Sequence, residues 1–368
     1  MTQPDATSSS TETSPRLLVV GSGGIGGVVA AHLFHLGANV TLLTRDDRAA
    51  DAINDRGLVV RGENALGHVT ASATSSLPAH AGPFDFIILA TQPPEVEAAA
   101  RSVLPHLAEH GALICLQNGL CEVRLAELAG ASRVMGAIVA WGASMLEPGV
   151  YDRTSAGGFV LGRLDGSIDE RLVQLGNLLE AVGPVTLSTN LLGARWSKLA
   201  LNCAVSSLGT IGGERLGPLL KHRFVRRLAL ETMTEAVAVA HAESIVLEKV
   251  SGTLDLEWVA LTAEERLAKL GSPALVAKHA LLLAVGTRYR RLRSSMLSAI
   301  ERGRTPAVDF LNGEVVTRGA QHGIATPINS AIREAVWEIA QGRLKPSSGE
   351  LEALYMRTRK HFEATPIT

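Results

Sequence analysis

Aromatic residues make up only 4% of this 368-residue chain, and cysteine occurs three times, at Cys115, Cys121 and Cys203. Those three have no metal or redox spacing, so they argue against a zinc ribbon or a disulfide framework and read as reduced thiols of a cytoplasmic protein. Neither charge is in excess. The 35 basic and 36 acidic side chains leave a net charge of −1, which gives no argument for nucleic acid or a membrane surface as partner. No apolar run reaches the ~20 residues of a membrane span. The opening stretch MTQPDATSSSTETSP lacks a basic n-region and an apolar h-region, so it does not read as a signal peptide. Its Ser/Thr-rich composition predicts a disordered tail over residues 1–15. The whole chain is 46% apolar and long enough for one large or two ordinary domains; its motifs, taken next, make a small-molecule substrate the expected partner.

What is present is organised around Leu17–Ala30, LLVVGSGGIGGVVA. The apolar Leu17–Val20 reads as a buried strand and is followed by Gly-x-Gly-x-x-Gly at Gly21, Gly23 and Gly26. Gly21 permits the tight turn, Gly23 lets backbone approach a pyrophosphate, and Gly26 lets the helix pack close to the sheet. With Ser22, Gly24 and Ile25, these residues form a phosphate loop at a helix N-terminus, where free N–H groups and the dipole favour an anion. The alternative is a Gly-rich turn of another α/β unit; the flanking strand, the helix and a second strand at Asn39–Leu43 favour the dinucleotide.

Strand two ends in Thr44-Arg45-Asp46. An acid here holds the ribose 2′-hydroxyl of NAD, whereas an arginine accommodates the 2′-phosphate of NADP. Arg45 comes first, which favours NADP(H) over a merely solvated charge. The pattern continues with a helix at Asp47–Arg56, short strands at Leu58–Arg61 and His68–Ser72, and a buried strand at Asp85–Ala90 that ends in Thr91-Gln92-Pro93-Pro94. A helix is predicted over Glu95–Glu109, with His106 near its end four residues before His110; no third metal ligand is evident, so a solvated helix end is preferred. The strand Gly111–Leu116 ends in Gln117-Asn118-Gly119, first of all a turn signal and, at a sheet edge, also a candidate cofactor or substrate contact. Strands at Arg133–Ala140, around Val150, at Phe159–Gly162 and at Val185–Leu187, with a helix at Ile168–Ala181, complete an α/β domain over 16–189.

From Asn190 the pattern turns helical: Leu191–Ser206, Phe224–Glu243, Ala263–Leu270, Ala274–Gly286, Ser294–Arg302, Asp309–Gln321 and Ile328–Gln341. A helical domain over 190–368 is expected to close over the nicotinamide end of the cofactor. In LLGARWSKLALNCAVS, Lys198, Asn202 and Ser206 stand at i, i+4 and i+8, on one helix face amid apolar neighbours. A lysine there is costly to bury unless it meets a partner or a substrate. A surface lysine beside a backbone-bonded asparagine fits the spacing equally well.

These segments, in order, resemble the ketopantoate reductase (2-dehydropantoate 2-reductase) family from Arg16 onward. The resemblance rests on GSGGIG with Ala30, Arg45, QNG at Gln117–Gly119, WSKLALN at Trp196–Asn202, SSM at Ser294–Met296, DFLNG at Asp309–Gly313 and HGIATP at His322–Pro327. It implies an α/β Rossmann domain followed by an all-α domain like the C-terminal domain of 6-phosphogluconate dehydrogenase. The implied reaction is NADPH-dependent reduction of a 2-oxo acid carbonyl. Lys198 would be the general acid, and Asn118 would position the nicotinamide and Lys198. Asn202 would hold the substrate, and Ser295, or Ser294 if the register slips by one, would bond its carboxylate or hydroxyl. A helix N-cap is the structural alternative for that serine pair. The resemblance and the long C-terminal helices are also compatible with a homodimer.

Three positions depart from the family pattern. Gln92 replaces a lysine at the cofactor side, Ser206 replaces a second substrate-binding asparagine, and Ala307 replaces an acidic substrate contact. The segment from Lys249 to Arg293 is longer than usual and ends with Arg288, Arg290, Arg291 and Arg293, read as a solvated face rather than an anion site. These departures bear on the substrate rather than the reaction class. Imine reduction and a non-enzymatic NADP(H) sensor are the alternatives, and retention of Lys198 and Asn202 argues against the sensor.

Overall fold

The computed structural model describes residues 14–249, 254–267 and 272–364. The expected tail falls almost wholly outside them. Twelve strands are described: β1 (Arg16–Val20), β2 (Asn39–Leu43), β3 (Leu58–Gly62), β4 (Leu66–Val69), β5 (Ala73–Thr74), β6 (Phe84–Leu89), β7 (Leu107–Cys115), β8 (Val134–Val139), β9 (Ala143–Glu147), β10 (Val150–Arg153), β11 (Phe159–Arg163) and β12 (Val185–Ser188). Five helices lie among them: α1 (Gly24–His35), α2 (Asp47–Arg56), α3 (Val96–Val103), α4 (Cys121–Ala129) and α5 (Glu170–Leu179).

The main sheet has the order β12-β11-β8-β7-β6-β1-β2-β5 and is parallel except where β11 meets β8. Its central strands are apolar without alternation because both faces are covered: Leu17, Leu18, Ile87 and Leu113 have no exposed surface. β1 pairs with β2 on one side and β6 on the other, in register Val20 with Leu43 and Leu89. That reversal of strand order opens a crevice at the carboxyl edge, the usual ligand position of such sheets. A second sheet, β4-β3-β10-β9, lies against α1. Gly27 makes this contact possible, since a Cβ there would run into the Tyr151 ring of β10.

The described residues that follow are mainly helical: α6 (Leu191–Gly212), α7 (Leu216–Lys221), α8 (Arg223–Ala242), α9 (Leu256–Val259), α10 (Ala263–Leu267), α11 (Pro273–Arg288), α12 (Ser295–Glu301), α13 (Asn312–Gln321), α14 (Pro327–Ala340) and α15 (Ser348–Ala364). Their shared core includes Trp196, Leu208, Leu228, Met233, Val315, Ile332 and Leu354. α6 starts where the Asn190 side chain accepts the Gly193 N–H at 3.0 Å, and it stops at Gly213 in the left-handed region, φ +70°. Along the longer segment, Glu231 pairs with Arg227 and Arg266, and Glu265 pairs with Lys278, tying α10 and α11 to α8.

Several element bounds differ from the sequence expectation for physical reasons. The helix expected over Glu95–Glu109 is a single turn at Pro93–Glu95, then α3, then a turn at Leu104–His106, with β7 starting at Leu107. Pro105 lacks the N–H and clashes with the preceding turn, so the helix ends before it. His106 and His110 therefore share no helix face, and His106 Nδ1 lies 2.8 Å from the Ala81 carbonyl oxygen instead. α6 runs six residues past Ser206, β9 and α15 had no clear sequence signal, and part of the helix expected at Ala263–Leu270 lies outside the described residues.

Candidate active site

The carboxyl edge of the sheet gathers the chemistry. Gly21 leaves β1 at φ +103°, and a Cβ on it would sit 3.2 Å from the Ala90 carbonyl beyond β6. A side chain on Gly26 would collide with the Gly21 carbonyl, so only glycine lets α1 come this close. At Gly23 a Cβ would meet nothing within 4 Å, leaving open space over the first turn of α1. No side chain caps that turn and no acid lies in it, so its N–H groups are free for a phosphate. Ser22 is buried, and its carbonyl accepts the Tyr151 hydroxyl at 3.1 Å, which braces the loop from the second sheet. Gly24 and Ile25 are half-buried. These residues fit the pyrophosphate of a dinucleotide.

At the end of β2, Arg45 is exposed and makes no ion pair among the described residues. The neighbouring Asp46 is committed, since its carboxylate accepts the Ala49 N–H at 2.9 Å as the N-cap of α2. The basic group is therefore the free one. Gln92 is exposed beyond β6.

Beyond β7, the Gln117 side chain is buried and donates to Thr91 through Nε2 at 3.2 Å. Asn118 is exposed at this edge, and its carbonyl accepts the Cys121 thiol at 3.4 Å. Gly119 has φ +94°, and a Cβ on it would stand 2.5 Å from the Phe310 carbonyl. The loop therefore abuts the one-turn segment Ala307–Phe310, which carries the neutral Ala307. The acid nearest in sequence is occupied: Asp309 Oδ1 accepts Arg333 Nε at 2.6 Å and Trp337 Nε1 at 3.2 Å.

Lys198 reaches the same edge from α6. It is half-buried, and its ammonium donates to the Val139 carbonyl at the end of β8, 2.7 Å away. Burial lowers its pKa to about 7, with the Arg195 guanidinium acting in the same direction and Glu122 opposing. Arg195 and Glu122 had no place in the sequence reading. Both are 1% exposed and form an ion pair between α6 and α4. Arg195 donates to the carbonyls of Gln117 at 2.9 Å, Cys115 at 3.0 Å and Ala137 at 3.3 Å. One side chain thus ties β7, β8 and the Gln117–Gly119 loop to the lysine helix. Its spacing, three residues before Lys198 and so on the same side of the helix, is the signal that was available.

Farther along α6, Asn202 is half-buried, and its amide nitrogen is buried without a hydrogen-bond partner among the described residues. Ser206 is half-buried, and its carbonyl accepts the Ser294 hydroxyl at 2.8 Å. Ser294 also lies 2.8 Å from the Thr210 hydroxyl and accepts the Leu297 N–H at 3.2 Å, capping α12. The structural alternative holds at Ser294, while Ser295 is exposed at the first position of α12. The structure thus ties the lysine helix to the Gln117–Gly119 loop through Arg195, sets that loop against Ala307–Phe310, and links α12 to α6 through Ser206. Arg288, Arg290, Arg291 and Arg293 are exposed, and Arg293 bonds Glu301 at 2.6 Å.

Known proteins share the sequence pattern and the fold of this chain. The family model described as "Ketopantoate reductase PanE/ApbA" matches residues 17–166, and its C-terminal counterpart matches residues 190–340. The 2-dehydropantoate 2-reductase of Pyrococcus horikoshii is 27% identical over 316 residues, covering 85% of this chain and 94% of that protein. A crystal structure of a PanE/ApbA family ketopantoate reductase from Ralstonia eutropha superposes with TM-score 0.74 at 25% identity, covering 89% of this chain and 99% of that one. D-mandelate dehydrogenase, solved with NADH and anilino(oxo)acetate, shares the fold at TM-score 0.73 and 20% identity, covering 90% and 100% of the two chains.

Proposed function

Because the chain belongs to the ketopantoate reductase family of pyridine-nucleotide-dependent oxidoreductases, we propose that it reduces the carbonyl of a 2-oxo acid with NADPH. The observation that carries this reading is Lys198, an ammonium with a pKa lowered to about 7, at the sheet edge that also carries the glycine loop. When bound, the cofactor supplies a hydride. The chain's own residues do the rest. Gly21–Gly26 hold the pyrophosphate, and Arg45 receives the 2′-phosphate while Asp46 stays engaged as a helix cap. Asn118 and Gln92 line the cofactor side. Lys198 keeps one N–H on Val139 and presents the others to the carbonyl oxygen, stabilising the developing alkoxide and then protonating it. Asn202, with an unpaired amide donor, and Ser295 hold the carboxylate, with Ser206 beside them on α6. An acid tuned near neutral pH suits proton transfer and has no use in a sensor.

The test is oxidation of NADPH, with NADH in parallel, across a panel of 2-oxo acids with and without amines. Reduction of 2-oxo acids without amine, faster with NADPH, is the expected result. Reduction only in the presence of amine would assign the protein to C=N chemistry. No oxidation with any member would remove the reductase reading.

A further inference from the structure

We propose that Arg195, neutralised by Glu122, is the positioning residue of the site: it clamps α6 to the ends of β7 and β8 and to the Gln117–Gly119 loop, so that Lys198 is held in one place. Its part in catalysis rests on the reductase reading above. The need for such a residue begins in the sheet. β7 ends at Cys115, opposite Gly136, while β8 runs on to Val139. On the other edge of β8 the Ala140 N–H donates to the Gly158 carbonyl at 2.9 Å. Backbone groups alternate direction along a strand, so the carbonyls of Ala137 and Val139 point to the side that β7 has already left. Buried carbonyls without a strand neighbour need other donors. α6 supplies them, with Arg195 on Ala137, Cys115 and Gln117 and Lys198, three residues on, on Val139. Gly136 makes room for the counter-charge, since a Cβ there would come 2.6 Å from Glu122 Oε1.

The pair also governs charge. Burial lowers the Lys198 pKa first, Arg195 on its own helix adds to this, and Glu122 on α4 opposes it. Among the described residues, no charge from the other elements packed on α6 acts on Lys198. The neighbouring Cys115 thiol is driven up by burial and stays neutral. Two cations at i and i+3 share one side of a helix. An uncompensated Arg195 would therefore drive the proton off Lys198 at the pH where reduction needs it, and Glu122 makes the clamp compatible with the acid.

The test separates charge from placement. Glu122→Gln removes the compensating charge and keeps an oxygen for Arg195. Arg195→Lys keeps the charge and gives up the fork that spans three carbonyls. The chain has seven lysines, so the titration of Cε-labelled lysine can be followed by NMR, with Lys198 as the signal missing from Lys198→Ala. In Glu122→Gln that titration should move down by about one pH unit, and the pH step in kcat/KM should move with it. Arg195→Lys should titrate near the wild type yet lose about tenfold or more in kcat, because a displaced Lys198 no longer meets the carbonyl; it also serves if Glu122→Gln does not fold. A merely structural pair would lower Tm and move neither the titration nor kcat. An unmoved titration in Glu122→Gln, or wild-type kcat in Arg195→Lys, would overturn the inference while leaving the reductase reading standing. A wild type that reduces no 2-oxo acid would take down that reading, and the part given to Arg195 in catalysis with it.

Discussion

At Lys198, chemistry and charge state are linked in a direction that can be measured. Its pKa is lowered to about 7, so the protonated acid is present below that pH and is lost above it. Reduction, which consumes the proton, should show kcat/KM falling as pH rises through about 7, and the reverse oxidation should gain over the same interval. Lys198→Ala should lower single-turnover hydride transfer by roughly 10²–10⁴-fold and abolish the pH step, with cofactor affinity nearly unchanged in a fluorescence titration. Arg45 supplies a second test at this scale. Arg45→Ala should weaken NADPH by about 1.5–3 kcal/mol, the worth of a hydrogen bond to a charged group, and leave NADH nearly as before. Equal losses for both cofactors would sink the assignment. Both residues were legible as residue types in the sequence. What it could not supply was their partners: that Asp46 is spent on a helix cap, or that Lys198 rests on Val139, since both depend on where the chain places a carbonyl or a helix start.

Among the elements, α6 does most to connect sheet and helices, and its least legible component is Arg195. Nothing local marks Glu122, seventy-three residues earlier, as its partner, and a buried ion pair follows from topology rather than from a pattern of residues. Burial drives the Glu122 carboxyl upward in pKa while Arg195 opposes it, so removing the arginine alone leaves a costly buried acid. Arg195→Met should destabilise the protein by about 3–5 kcal/mol, whereas Arg195→Met with Glu122→Leu should recover most of that in denaturant unfolding. If the double variant is no better than the single, the carbonyl bonds of Arg195, not its charge pairing, hold the loop. The helix expected at Glu95–Glu109 fails for a simpler reason: its apolar period was read across Pro105, and backbone chemistry outranks periodicity. The main strands were legible because strands buried on both faces are written as apolar runs; β9 is mostly exposed and carries no such mark.

Taken whole, the molecule departs from the family pattern at two substrate contacts, Ser206 and Ala307, and the acids near them among the described residues are engaged elsewhere. Asp309 is held by Arg333 and Trp337, Glu314 is held by Arg124 and Arg318, and the arginines before Ser294 are exposed. Ketopantoate, which carries a hydroxyl, should therefore be reduced with kcat/KM on the order of tenfold to several hundredfold below that of another 2-oxo acid in the panel. A panel in which ketopantoate comes first would show that some group restores the contact. This departure was readable at Ala307, yet the compensating groups could be judged only once their side chains were seen to be engaged elsewhere.

On the proposed mechanism, one rigid helix carries the proton donor, Lys198, and a polar anchor one turn on, Asn202, facing the edge that holds the glycine loop. Three unlike contacts in a fixed frame define a handedness. A flat carbonyl carbon bearing oxygen, carboxylate and alkyl group can set its oxygen on Lys198 and its carboxylate on Asn202 with only one of its faces turned toward the cofactor side, so the new stereocentre should leave as a single enantiomer. Chiral chromatography of the 2-hydroxy acid reads this out, and a racemic product would mean that the three contacts do not act together.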